Sequence, residues 1–186
     1  MTIFSLKHTA VLASLSLLAL PAMAHPGHGE AVGFLAGLAH PFTGLDHLLA
    51  MLGVGAWGGQ QRLSLTQPAT FLGMMLLGAL AGMAGLGIPG LEMGIAATVA
   101  LTGMAIALAL ALPNWLGIGL VGLFALAHGN AHGHELPAAS ATFGFMLASG
   151  ILLMSGRFIG QVMAERVVRV AGAAMTAAGL VLMGMN

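Results

Sequence analysis

AVGFLAGLAHPFTGLDHLLAMLGVGAW, residues 31–57, is apolar over more than the ~20 residues a helix needs to cross a bilayer, with Asp46 its one formal charge. Five comparable stretches follow: Pro68 to Leu86, Leu91 to Leu112, Trp115 to Glu135, Ala138 to Gly156 and Val167 to Met185. The breaks are Gln60-Gln61-Arg62, Gly87-Ile88-Pro89-Gly90, Pro113-Asn114, Leu136-Pro137 and Arg157 to Arg166, and proline or glycine punctuates most of them. The pattern predicts an all-α polytopic membrane protein with about six transmembrane helices. The Gly87 to Gly90 break leaves room for a re-entrant turn.

Composition excludes the other classes. Of 186 residues, 59% are hydrophobic and 5% charged, whereas a soluble domain carries roughly 25% charged residues. The mean hydropathy is +1.00. Such a chain cannot cover itself with solvated charge, which rules out a soluble enzyme, a nucleic-acid binder and a disordered tail. The formal net charge is zero, so no basic stripe offers itself to phosphates. Without Cys there is no disulfide framework, thiolate site or Cys nucleophile.

Residues 1–24 read as an address. Lys7 and His8 form a weak basic start, and Val11 to Leu20 is an apolar run shorter than a span. Pro21-Ala22-Met23-Ala24 then supplies an A-x-A cleavage site; an uncleaved first helix is the alternative. Cleavage leaves residues 25–186 as a six-helix domain that starts at His25 outside the cytoplasm. On that topology Arg62, Arg157, Arg166 and Arg169 all face the cytoplasm, as the positive-inside rule requires. Glu30, Glu92 and Glu135 fall on the other side with His25, His28, His132 and His134. The expected place is a bacterial inner membrane, with both mature termini periplasmic.

Small residues set the expected packing. Gly78, Gly82 and Gly85 in the second span, and Gly117, Gly119 and Gly122 in the fourth, are expected to let helices approach closely. The 14 Met are scattered without a Met-x-x-Met repeat and read as gap filling instead of Cu(I) ligands. Leu38-Ala39-His40 and Leu126-Ala127-His128 echo each other faintly, as a three-plus-three inverted arrangement would.

Chemistry lies where polar residues enter the spans, because each ionisable group there costs roughly 2.5–3.5 kcal/mol on insertion scales. The first span carries His40-Pro41-Phe42-Thr43-Gly44-Leu45-Asp46-His47. On a regular helix His40 and His47 lie within about 20° of one another, and Asp46 about 100° from His47. Pro41 and Gly44 loosen that helix and allow the three side chains to converge. Imidazole with carboxylate suits a borderline divalent cation such as Ni²⁺, Co²⁺ or Zn²⁺. Asp46 is either a ligand or an acceptor that fixes a histidine tautomer from behind.

The fourth span ends His128-Gly129-Asn130-Ala131-His132-Gly133-His134-Glu135. His128, His132 and Glu135 share one helix face, but the His-Glu-x-x-His order of zinc proteases is missing. Gly129 and Gly133 remove bulk where a helix or an ion approaches. His134 and Asn130 point off that face, toward water. Glu92 is a further carboxylate near the outer end of the third span, a ligand or simply a hydrated helix end. His25 and His28 are either an outer capture pair or a soluble leader.

These motifs resemble the HupE/UreJ family of nickel permeases: His-Pro-x-x-Gly-x-Asp-His at His40 to His47, followed by Leu48-Leu49-Ala50-Met51, and the element from His128 to Glu135. The signal peptide, mature His25, six spans and the Gln60-Gln61 turn are also similar. The resemblance implies a non-enzymatic permease for Ni²⁺, sometimes Co²⁺, linked to hydrogenase or urease maturation. It carries the metal role to His40, Asp46, His47, His128, His132 and Glu135. No permanent cofactor is implied, and the partners are the metal ion and the lipid bilayer.

Two rivals come from other classes. In a membrane haem protein, ligands seven apart on one helix would lie about 10.5 Å apart along its axis, too far for one iron. An intramembrane hydrolase would need a nucleophile, yet no Gly-x-Ser-x-Gly is present, and Ser149 and Ser155 lack a flanking context. For transport, the expected route runs from His25, His28 or His134 to the His128 group, and then on to the His40 group. Its ligands must be deprotonated, so occupancy should weaken as pH falls through the histidine range. The topology has a direct check: a reporter fused after Asn186 should be active in the periplasm alone, and cytoplasmic activity would remove either the cleavage or one span.

Overall fold

A computed structural model of the chain describes residues 33–136 and 138–185. The expected cleavage after Ala24, and His25 and His28, lie outside the described residues. The described residues form seven helices and no strand: α1 (Phe34–Thr43), α2 (Leu45–Gln60), α3 (Thr66–Met83), α4 (Leu91–Ala107), α5 (Asn114–Glu135), α6 (Ala139–Val162) and α7 (Glu165–Met185). Of these, α6 and α7 are long and apolar enough to cross a membrane by length and composition. α4 is apolar but shorter. α5 has 22 residues, but its last two turns carry His128, Asn130, His132, His134 and Glu135, which dilute its hydropathy.

The stretch that opens at Ala31 is broken into two helices, and its own sequence breaks it. Pro41 lies inside α1 and has no N–H to give the helix ladder. Gly44 then turns extended, with φ −92° and ψ 115°. The His40 carbonyl at the break takes the Thr43 hydroxyl at 2.8 Å and the Gly44 N–H at 3.4 Å. α2 restarts with Asp46 in its first turn, where the positive end of the helix dipole favours a carboxylate.

The helices pack in pairs, backbone against backbone. A Cβ at Gly55 of α2 would meet the Leu153 carbonyl of α6, and one at Gly156 of α6 would meet the Leu52 carbonyl of α2. Gly59 and Gly160 repeat this reciprocal contact one turn on, against Arg157 and Ala56. α3 and α5 do the same: Gly78 lies on Leu126, Gly82 on Asn130, Gly129 on Met75 and Gly133 on Ala79. In both pairs the residue numbers rise together, so the partners run parallel. α4 and α7 pair through Gly103, Gly172 and Gly179, and there the numbers run in opposite senses. Such glycines let main chains approach where lipid supplies no hydrophobic drive between helices.

The expectation for glycine thus holds at Gly78 and Gly82 and fails elsewhere. Gly85 has φ +80° and turns the chain out of α3. Gly119 faces open space, while Gly117 and Gly122 touch only side chains at ordinary distances. Gly129 and Gly133 are the close-packing glycines of α5. The Gly87 to Gly90 break holds no re-entrant helix. It is a loop, tied down by Asn130, whose Nδ2 donates to the Leu86 carbonyl at 2.7 Å. Asn130 is therefore buried and does not face water.

These registers put the arginines and the histidines at opposite ends of the bundle. At one end Arg157 donates to the Leu63 carbonyl at 2.6 Å, and Arg169 to the Ala107 carbonyl at 2.8 Å. Gln60 and Trp57 donate there to the Ile106 and Leu110 carbonyls, at 3.2 and 3.0 Å. Of these acceptors, the Ala107 carbonyl is the last of α4, one of those a helix end leaves without a helical partner. Outward faces are apolar, with Leu77, Leu101, Leu123, Phe143, Leu147, Ile151 and Leu180 exposed. The buried set includes Gln67, Thr102, His128, His132 and Ser149. A glycine substitution tests the packing: Gly55→Ala should destabilise the fold by ~1–3 kcal/mol, while Gly119→Ala should stay within about 0.5 kcal/mol. Thermal unfolding of purified protein reads both.

Candidate metal centre

The break at Gly44 and the α3–α5 packing set the site. The first brings His40 and His47 off separate helices, and the second holds the histidine face of α5 against them. Ring centroids of His40 and His47 are 5.7 Å apart, those of His40 and His132 5.0 Å, and those of His47 and His132 4.5 Å. His40, His47, His132 and Glu135 each offer one donor atom within 4.8 Å of all the others. Three neutral imidazoles and one carboxylate within that span fit a borderline divalent transition metal.

Exposure falls along the cluster. Glu135 and His40 form its mouth, with side chains 42% and 26% exposed, and His40 Nε2 lies 2.7 Å from Glu135 Oε2. His47, His132 and His128 are buried. His132 stacks on Phe145, with centroids 4.3 Å apart and planes 18° from parallel. That fixes its ring plane, yet neither of its nitrogens has a partner among the described residues. A buried polar atom without a partner costs about 1–3 kcal/mol, so two on one ring mark a place where something else supplies the bond.

Asp46 decides how His47 presents itself. Its Oδ1 accepts the His47 backbone N–H at 2.8 Å and the His47 Nδ1–H at 2.8 Å. A carboxylate accepts and does not donate, so Nδ1 holds the proton and Nε2 keeps a free lone pair. His47 Nε2 is buried and unpartnered. Asp46 thus lies behind His47 and outside the four converging donors.

The chain matches the HupE / UreJ protein family over residues 13–182. It is 40% identical over 194 residues to protein HupE of Rhizobium leguminosarum bv. viciae, an alignment covering 96% of this chain and 99% of that protein. The chain belongs to the HupE/UreJ family. Membership places it among membrane permeases and not among enzymes. No solved structure matches it.

Both of the family-like motifs contribute to the four-donor cluster, and they interleave. His40 of the first motif pairs with Glu135 of the second, and His47 lies between His132 and His128, the latter at 5.2 Å between centroids. The expected order, with the His128 group first and the His40 group after it, is therefore replaced by one site with a mouth and a deep end. The Gly44 break places His40 and His47 on separate helices. Glu92 is exposed in the first turn of α4 and outside the cluster, and His134 is exposed beside the Gly87 loop. Sequence spacing missed Thr98, whose hydroxyl meets His128 Nε2 at 2.9 Å. Nothing in α4 sets that threonine apart from Thr102. A binding measurement follows: Ni²⁺ titrated calorimetrically into purified His132→Ala should show affinity reduced by more than the ~10–100-fold typical of losing an outer partner. His134→Ala should bind as the wild type does.

Proposed function

We propose that this chain is a bacterial inner-membrane permease that takes up a divalent transition metal, Ni²⁺ first and Co²⁺ second, for hydrogenase or urease maturation. The observation that carries the reading is the set of buried imidazole nitrogens without partners among the described residues, His47 Nε2 and both nitrogens of His132, beside Glu135 and His40. Imidazole nitrogens suit Ni²⁺ and Co²⁺ better than the harder Mg²⁺ and Ca²⁺. Asp46 and Glu135 together offset the two positive charges of the cargo, which matters in a low-dielectric bundle. Rings whose centroids lie 4.5 to 5.7 Å apart leave room for an ion and none for a haem macrocycle.

The permeation model needs one mouth and a path inward. The ion enters between His40 and Glu135 and exchanges water for their donors. It then moves to His132 and His47, with His128 behind them. α1 and α2 together form the first of six spans, and α3 to α7 the other five. Alternating crossings require the first and fifth spans to be parallel, as the second and fourth must be, while the third and sixth run opposite. The glycine registers have that pattern. With residues 1–24 removed as a signal peptide and the arginine end cytoplasmic, the mouth opens to the periplasm.

Uptake of Ni²⁺, Co²⁺, Zn²⁺ and Cu²⁺ into cells expressing the chain tests the reading, with Ni²⁺ accumulation expected to be greatest. Asp46→Asn keeps an acceptor oxygen for His47 but removes the charge, and should lower uptake per folded protein by ~10–100-fold. Membrane abundance should hold, since losing a charge eases insertion. Near-normal uptake by Asp46→Asn would sink this assignment of the first span.

A further inference from the structure

Thr98 sits on α4, which contributes no histidine, and its side chain is buried. Its Oγ1 lies 2.7 Å from the Ile95 carbonyl oxygen and 2.9 Å from His128 Nε2. A threonine hydroxyl has one hydrogen to give. Two oxygens 2.7 Å apart need a hydrogen between them, and a backbone carbonyl has none. The Thr98 hydrogen therefore goes to Ile95. Oγ1 is left to accept, so His128 Nε2 must carry the N–H. A neutral imidazole protonated at Nε2 has its lone pair on Nδ1. His128 Nδ1 is fully buried without a partner among the described residues, and the ring stands edge-on to His47 at an interplanar angle of 87°.

We propose that Thr98 is a positioning residue of the metal path: anchored on the Ile95 carbonyl, its hydroxyl accepts from His128 Nε2 and keeps His128 Nδ1 available as a fifth donor at the deep end. This rests on the permease reading above. The device mirrors the one on the other side of the site, where Asp46 takes the Nδ1–H of His47 and leaves Nε2 free. Among the described residues, His47 and His128 thus each have one nitrogen tied from behind and the other unpartnered. The two ties differ in charge, since the carboxylate adds a negative charge and the hydroxyl adds none. Threonine suits the task because its branched Cβ and its bond to a carbonyl three residues back hold the hydroxyl in one rotamer.

The test uses full-length protein, ¹⁵N-labelled at histidine and purified in detergent, with His128→Gln to assign the His128 signals. Nitrogen shifts of the metal-free wild type at mildly alkaline pH should report His128 protonated at Nε2. Thr98→Val has the same shape without the hydroxyl. It should lose that single tautomer, and its Ni²⁺ affinity by calorimetry should fall ~10–100-fold. Thr98→Ser should restore both, which a purely structural role for the side chain would not predict. If the valine variant does not fold, Thr98→Ala carries the same comparison. A wild-type His128 protonated at Nδ1 overturns the proposal. So does a Thr98→Val protein with unchanged tautomer and unchanged Ni²⁺ affinity. A wild type that shows the Nε2–H tautomer yet binds no Ni²⁺ overturns the permease reading and, with it, the proposed purpose of Thr98.

Discussion

A buried imidazole has to place two nitrogens, and in an apolar bundle each nitrogen without a partner is expensive. The rest of this protein is arranged around that constraint. Asp46 and Thr98 each occupy one nitrogen of an inner histidine, and Phe145 holds the plane of His132. One nitrogen each of His47 and His132 lies within 4.8 Å of the donors of Glu135 and His40 at the mouth. Filling every nitrogen from within would make a stable packing network. Leaving several without a partner among the described residues is what the proposed cation site requires.

Holding such a site together demands close helices, because side chains of this length converge only when main chains do. Lipid tails give helices no reason to associate by burying apolar surface, so contact between backbones has to do the work. Glycine supplies it at reciprocal points, Gly55 with Gly156 and Gly129 with the main chain at Met75. The close-packed ladder between α3 and α5 lies on the same helix as His128 and His132. Packing and chemistry therefore share α5: glycines at 129 and 133 face α3, and histidines at 128 and 132 face α1 and α2. Two interleaved spacings of four residues serve two neighbours.

The polarity of the bundle follows from charge. Arginines at one end bond main-chain carbonyls at and just beyond helix ends, and Asp46, Glu135 and the histidines of the cluster gather at the other. Within a bilayer both ends are places where polar atoms reach water or each other. The interior between them carries few polar groups besides the deep histidines and Gln67, Thr102 and Ser149.

The sequence by itself determined the helical class, the apolar stretches and the candidate residues of the site. Those properties are local: hydropathy, the Pro41 and Gly44 break, and the i, i+4, i+7 face of His128, His132 and Glu135 follow from neighbours along the chain. It also raised the role Asp46 plays, because Asp46 and His47 are adjacent. Tertiary structure alone decided that the two motifs interleave, that Asn130 is buried on the Leu86 loop, and which glycines meet backbone. Gly119 and Gly129 look alike in sequence, and the difference between them is a neighbouring helix. Thr98 belongs with these. A threonine three residues from a carbonyl is ordinary in any helix, and only the approach of α5 places a histidine nitrogen on its hydroxyl.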